Sequence, residues 1–392
     1  MINNKMKIVV LLSRVPYPLD KGDKLRAFNQ IKQLSKKNDI YLIALNDEPF
    51  HEYALDALKP YCKHIKFIQL SKMNLAHNLF NAFFSKIPMQ VGYFYGDRIK
   101  NIIDNEIKKH QPDLIYCQLI RMAEYCRVIK DIPTLIDYMD VFSKGIERRI
   151  DRVPFYLKPL FKMEYNRLVK YEGDVFNDFK YKTIISEQDR SHIYHPNRNS
   201  ITIIPNGVDT GYYHKIISEK KYDILFCGNM SYPPNIDSAI YLVEEILPLL
   251  LPKLPDIKIL IAGTTPSAKI LALKSKNVTV SGWVEDIRES FAESKMLVAP
   301  MQLSIGLQNK LLQAMAMKIP VITSILANNA IHAIPNESIL VAEQPHEYAA
   351  HIMNLLDNKA KADFIAENAF ALINSEFTWE VMNDILEKLI HS

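Results

Sequence analysis

Short apolar runs recur along this chain, each closed by charged or turn residues and separated by stretches of helical period. Lys7–Leu12, Ile40–Ala44, Ile65–Gln69, Leu114–Cys117, Thr134–Asp137 and Thr183–Ser186 are the runs of the first half. Tyr222–Cys227, Lys258–Ala262, Val278–Ser281, Met296–Pro300, Pro320–Thr323 and Ser338–Val341 are those of the second. Helical patterns fall between them at Leu25–Ser35, 145–180, Ile236–Leu250, Asn309–Met317 and Thr378–His391. Strands alternating with helices predict parallel, doubly wound sheets. The chain has 392 residues, and one hydrophobic core rarely grows past roughly 250–300, so two such domains are expected. Pro205-Asn206-Gly207 is a strong turn signal where the charge changes sign. It sets the expected division at 1–204 and 205–374, with a last helix, 375–392, packing back on the first domain.

Residues 1–204 hold 33 Lys and Arg against 23 Asp and Glu, and the remainder 15 against 21. A basic first half points to an anionic partner. No basic run is interleaved with aromatics as in a nucleic-acid module, so no nucleic acid is expected. A lipid-linked pyrophosphate or an anionic membrane surface fits better, with a solvated charged face as the plainer alternative. Lys144, Arg148, Arg149 and Arg152 adjoin Val153-Pro154-Phe155-Tyr156-Leu157, and Leu79-Phe80-Asn81-Ala82-Phe83-Phe84 is a second apolar patch; both suit helices lying on a bilayer or packed on the core. The run Ile8–Leu12 is too short for a signal or a span. Cys62, Cys117, Cys126 and Cys227 form no CxxC pair and no zinc spacing, which predicts a reducing compartment and no metal. A cytoplasmic protein, peripheral at the inner face of the plasma membrane, is the expectation.

Four loops carry the candidate chemistry, all at the carboxyl ends of predicted strands, where such sheets bind ligands. After the first strand comes Asp20-Lys21-Gly22-Asp23-Lys24-Leu25-Arg26. Gly22 allows close backbone approach and the helix start favours anions, with Asp23 and Arg26 the charged side chains beside it. Asp137-Tyr138-Met139-Asp140 and Lys144 follow a later strand, with Asp140 or Asp137 for sugar hydroxyls and Lys144 for phosphate, or Asp140 and Ser143 as helix caps. Ser304-Ile305-Gly306-Leu307-Gln308-Asn309-Lys310 opens a helix; backbone N–H groups at Gly306, Leu307 and Gln308, an Asn309 N-cap and the Lys310 ammonium make a diphosphate cradle. Lysine near a positive helix end is unusual without an anion. Gln313, a turn on, reaches a ribose hydroxyl. Gly228-Asn229, Gly263-Thr264 and Gly282-Trp283-Val284 complete the set, with Trp283 flanking a nucleobase.

The runs Ile204-Pro205-Asn206-Gly207-Val208-Asp209, Phe226-Cys227-Gly228-Asn229, Gly282-Trp283-Val284-Glu285-Asp286 and Leu312-Gln313-Ala314-Met315-Ala316-Met317-Lys318-Ile319-Pro320-Val321-Ile322 together resemble glycosyltransferase family 4, of GT-B fold. The opening Arg14-Val15-Pro16-Tyr17-Pro18-Leu19-Asp20-Lys21-Gly22-Asp23-Lys24-Leu25-Arg26 is similar to a bacterial branch associated with exopolysaccharide and PEP-CTERM/exosortase loci. The resemblance implies two Rossmann-like domains facing across a cleft, the second holding a nucleotide-diphosphate sugar and the first a glycan or lipid-linked acceptor. It implies retaining transfer with no cofactor beyond that co-substrate. On that resemblance Lys310, Asp140 and Gly22 are expected at the chemistry, and Asp23, Arg26 and Lys144 at the acceptor. Members often carry two Glu where this chain has Ile305 and Gln313, and an Arg where it has Asn229. An epimerase of the same fold and a catalytically inactive nucleotide-binding partner in polysaccharide assembly are the competing expectations.

Overall fold

The computed structural model describes residues 5–151, 153–303 and 306–392; the expectations placed on Arg152, Ser304 and Ile305 lie outside the described residues. The chain forms two compact units, residues 5–205 with Asn383–Ser392, and Asn206–Met382. Each is an α/β unit around a wholly parallel sheet, which is the doubly wound class the alternation predicts.

In the first unit the strands are β1 (Lys7–Leu12), β2 (Asp39–Asn46), β3 (His64–Gln69), β4 (Leu114–Gln118), β5 (Thr134–Asp137), β6 (Tyr181–Ile184) and β7 (Thr202–Ile203), ordered β3-β2-β1-β4-β5-β6-β7. In the second they are β8 (Tyr222–Cys227), β9 (Ile259–Ala262), β10 (Val278–Gly282), β11 (Ser294–Ala299), β12 (Val321–Thr323) and β13 (Leu340–Val341), ordered β10-β9-β8-β11-β12-β13. Strands covered by helices on both faces read as unbroken apolar runs, and Ile8–Leu12, Leu114–Cys117 and Ile259–Ala262 are buried throughout. Chain direction across each sheet reverses at one place, between β1 and β4 in the first unit and between β8 and β11 in the second. Loops leaving the carboxyl ends of those strands diverge there and leave a crevice for ligands.

Several boundaries differ from the sequence expectation for physical reasons. The first helix is Gly22–Leu34, three residues earlier than expected. Asp23 thus lies in its first turn, where the helix dipole favours an acid. The segment 145–180 is two helices, Phe142–Ile150 and Lys158–Val175. Between them Pro154 cannot donate a backbone hydrogen bond, and helix propagation stops. The expected helix Ile236–Leu250 runs Pro233–Tyr241, widens to a π-turn at Leu242–Ile246 and resumes at Leu247–Leu250. Pro248 removes an amide there, and the wider turn absorbs the loss. The last helix, Trp379–Ile390, leaves the second unit and ends in the first, where Asn38 donates to Glu387 Oε1 at 2.8 Å.

Candidate functional site

In the second unit the crevice between β8 and β11 is built around glycine. Gly228 directly follows β8 with φ 150° and Gly263 directly follows β9 with φ 141°. Both conformations are open to glycine and strained for other residues. A Cβ on Gly263 would lie 1.7 Å from the Gly228 carbonyl oxygen, so the two loops touch backbone to backbone. A Cβ on Gly228 would lie 2.8 Å from Asn235 Nδ2 and 3.4 Å from Lys310 Nζ. The glycine therefore leaves room for the lysine tip beside a bare backbone.

Lys310 enters this crevice from the first turn of helix Asn309–Ala316. Its ammonium donates to Asn235 Oδ1 at 2.7 Å, lies 3.9 Å from Met301 Sδ and sits 4.5 Å above the Phe226 ring. Asn235 in turn donates through Nδ2 to the Asn229 carbonyl at 3.0 Å. Burial lowers the Lys310 pKa to about 8, opposed only by the neighbouring Cys227 thiol. Among the described residues no carboxylate pairs with this ammonium. One neutral acceptor and one ring face leave a buried cation short of the compensation it normally receives. A cation so placed beside a helix N-terminus has the chemistry to hold an anion.

The other residues expected at the donor surround this point to different degrees. Gly306 takes φ 57°, and Leu307, Gln308 and Asn309 follow it half-buried. The helix cap is Gln308 rather than Asn309, whose Oδ1 instead accepts from Asn206 at 3.3 Å; the capping role assigned to Asn309 is thereby corrected. Asn229 Oδ1 accepts from the backbone N–H and hydroxyl of Ser231 at 2.9 and 2.8 Å, so that side chain closes its own turn. Gln313 donates to the Tyr213 hydroxyl at 3.0 Å. Trp283 is 67% exposed beyond Gly282, with Val284 half-buried next to it. An indole left that open is available to stack on a planar ligand.

The first unit arranges its charges differently. Arg26, expected to meet an acceptor, is fully buried. Its guanidinium grips Asp137 through Nε at 2.6 Å and Nη2 at 3.1 Å, and Nη1 reaches the Pro205 carbonyl at 3.2 Å. Asp137 also accepts from Tyr116 at 2.9 Å and Thr183 at 3.0 Å. Arg26 and Asp137 are thus a closed internal pair that ties helix Gly22–Leu34 to β5, which corrects the ligand role given to each. Gly22 lies beside Met139, and Asp23 pairs with Arg14 at 3.2 Å. Lys144 donates to Glu147 at 2.7 Å and is half-buried. Leu119 and Met139, just past β4 and β5, hold φ of 65° and 61°, and strain of this kind persists where surrounding structure enforces it.

Asp140 is open to solvent, yet the protein packed around it disfavours its charge. With repulsion from Asp189, Asp23 and Asp137 opposing the pull of Arg26, its carboxyl is raised to about 7. The exposed carboxylate keeps part of its hydration, which opposes that rise.

Three residues at these edges escaped sequence reasoning. Asn235 and Tyr213 touch Lys310 and Gln313 from elsewhere in the chain, and only the fold brings them there. Arg121, after β4, is held between Phe94 at 5.3 Å and Phe142 at 4.8 Å, and its Nε is buried with no hydrogen-bond partner. Burial and the nearby Arg14 lower its pKa to about 10, so it stays charged at neutral pH.

Residues 221–358 match the family model described as glycosyl transferases group 1. An uncharacterized 44.6 kDa protein from the cps region of Klebsiella pneumoniae is 25% identical, over 95% of this chain and 96% of its own length. Among solved structures, Anabaena HepE in complex with UDP and glucose superposes with TM-score 0.68 at 14% identity, over 99% of this chain and 100% of that one. Sucrose-phosphate synthase from Thermosynechococcus elongatus gives 0.67 at 14%, over 98% of each chain. A glycosyltransferase from Rickettsia africae gives 0.68 at 15%, over 99% and 98%. The shared fold is GT-B.

Proposed function

We propose, from the premise that this chain is a GT-B glycosyltransferase with a group 1 domain in its second unit, that it moves a sugar with retention from a nucleotide-diphosphate sugar to a cell-surface polysaccharide or lipid-linked glycan. The observation that carries the reading is the buried Lys310 ammonium, without a carboxylate partner among the described residues, at the β8–β11 crevice. A leaving diphosphate gains negative charge as the glycosidic bond breaks, and preorganised donors lower the barrier by stabilising that charge. Lys310 and the amides at the start of its helix supply them. The nucleotide-bound HepE structure supports UDP as the first donor base to test. The cps-region relative supports a polysaccharide acceptor.

In a retaining path of this kind the acceptor hydroxyl attacks from the face the diphosphate leaves, and a phosphate oxygen takes its proton. No carboxylate nucleophile is needed, in contrast to retaining glycosidases. That suits a helix with Gln313 where family members often carry Glu. In the first unit Gly22 and Asp23 follow β1, and Asp140 and Lys144 follow β5; Gly22 and Asp140 are assigned to the chemistry and Asp23 and Lys144 to the acceptor, with Arg121 for an acceptor phosphate. No described helix is long and apolar enough to cross a membrane. Phe80, Phe84, Phe155 and Tyr156 are nevertheless strongly exposed, close in sequence to Lys72, Lys86, Arg148 and Arg149. They support a peripheral position on an anionic inner leaflet, with the protein on the cytoplasmic side.

A thermal-shift series with UDP, GDP, ADP and their sugars tests the donor assignment, since a ligand bound only by the folded protein raises its melting temperature. One stabilising nucleotide, with sugar released or transferred on incubation, supports the proposal. Stabilisation without turnover on any acceptor leaves the inactive nucleotide-binding partner instead. No stabilisation by any of them overturns the donor site.

A further inference from the structure

The amino-terminal end of the first sheet, opposite the edge just described, holds a group of side chains that this reading leaves unused. His64 begins the edge strand β3. Glu106 and His110 lie one helical turn apart near the end of helix Asp97–His110, so both project from the same face. His64 Nε2 and His110 Nε2 each lie 3.2 Å from the same oxygen, Glu106 Oε2, and all three donor atoms fall within 4.8 Å of one another. The histidine rings are 4.7 Å apart at 41°, and Tyr41 on the adjacent strand packs against His110 at 4.5 Å. All three side chains are half-buried.

Two features separate this cluster from an ordinary His–Glu hydrogen bond. His64 Nε2 is buried and satisfies no hydrogen bond, although the Glu106 oxygen is close; the nitrogen is near the carboxylate but misaligned for it. Zinc bonds of about 2.0–2.1 Å at tetrahedral angles hold neighbouring donors about 3.3 Å apart, which is close to the two separations found. A cation between the three atoms would take the lone pair of His64 that the carboxylate leaves unanswered. The helix C-terminus, which carries partial negative charge, adds to its attraction, and Lys66 and Lys109 nearby oppose it.

We propose that His64, Glu106 and His110 form a site for one divalent transition-metal ion of the zinc class, with an exposed fourth position for water. Two imidazoles and a carboxylate suit zinc, cobalt, nickel and copper over magnesium or calcium. Bound there, the ion clips β3 to helix Asp97–His110. Its place at the amino-terminal end of the strands gives it a structural part and no share in sugar transfer.

The full-length protein, stripped with chelator, is titrated with Zn2+ against a chromophoric competitor and separately with Co2+. Wild type is expected to take one equivalent, give the intense visible bands of tetrahedral Co2+, and melt higher when loaded. His64→Asn, His110→Asn and Glu106→Gln are each expected to weaken binding at least about 10–100-fold while keeping the nucleotide-induced melting shift of the second unit as proof of folding. Wild type and all three variants binding zinc equally, or wild type taking no stoichiometric zinc, overturns the site and leaves an ion pair.

Discussion

Two cations are buried at the working edges of this molecule, and their surroundings differ in one respect. Arg26 in the first unit is held by both oxygens of Asp137, which Tyr116 and Thr183 also bond. Lys310 in the second unit has a side-chain amide, a thioether and a ring face. Burying a charge is costly unless it is paired, so the first arrangement is complete within the protein, while the second leaves its ammonium without a counter-charge among the described residues. The contrast separates architecture from binding more sharply than residue type does, since both are basic residues near the start of a helix that follows a strand.

The largest effect that would test this contrast is on stability. Arg26→Met leaves Asp137 buried without its counter-charge and is expected to cost about 3–5 kcal/mol, read as a lower denaturant midpoint. A change under about 1 kcal/mol would show that the pair is not the internal brace described. Lys310→Ala reverses the pattern. Transfer is expected to fall about 10²–10³-fold, roughly 2.7–4 kcal/mol of transition-state stabilisation, with melting in the absence of nucleotide unchanged or raised. Turnover like wild type in that variant removes Lys310 from the chemistry.

A smaller effect sharpens the same point through pH. The Lys310 pKa is depressed to about 8 in the folded protein from 10.5. Between those values the unfolded chain binds the additional proton, so this group's contribution to stability improves as pH rises from 8 toward 10.5. Affinity for a nucleoside diphosphate runs the other way, because the bound anion needs the ammonium. Above about pH 8 it should weaken toward about tenfold per pH unit, and calorimetry on Lys310→Met should show that slope abolished. The smallest expected effect lies at the first unit's surface. Phe84→Ser with Phe155→Ser should weaken co-sedimentation with anionic vesicles about tenfold and leave transfer to a soluble acceptor intact; equal sedimentation would remove the membrane assignment.

The alternation of apolar runs and helical periods was enough to read both sheets, because strands buried on two faces have no choice but to be apolar. β1 is found over Lys7–Leu12 as read. β7, only Thr202–Ile203 and half-buried, left no such run and was not expected. The glycines at Gly228, Gly263 and Gly306 and the lysine at Lys310 were legible because strand-end glycine and a lysine at a positive helix end each demand a local reason. Partners were not. Asn235 is 75 residues from Lys310, and His64 is separated by a helix-rich stretch from Glu106 and His110. Spacing rules recognise ligands that share an element, and here β3 and a distant helix supply them. Arg26 misled for the opposite reason, since a basic residue near a ligand loop reads the same whether it faces outward or inward.

The first unit is discontinuous: it begins with β1 and is completed by Asn383–Ser392, after the whole second unit has been traversed. Ribosomal synthesis is directional, so a nascent first unit waits, with the cradle for Glu387 at Asn38 unfilled, until the second has emerged. The second unit, contiguous from Asn206 to Met382, has no such wait.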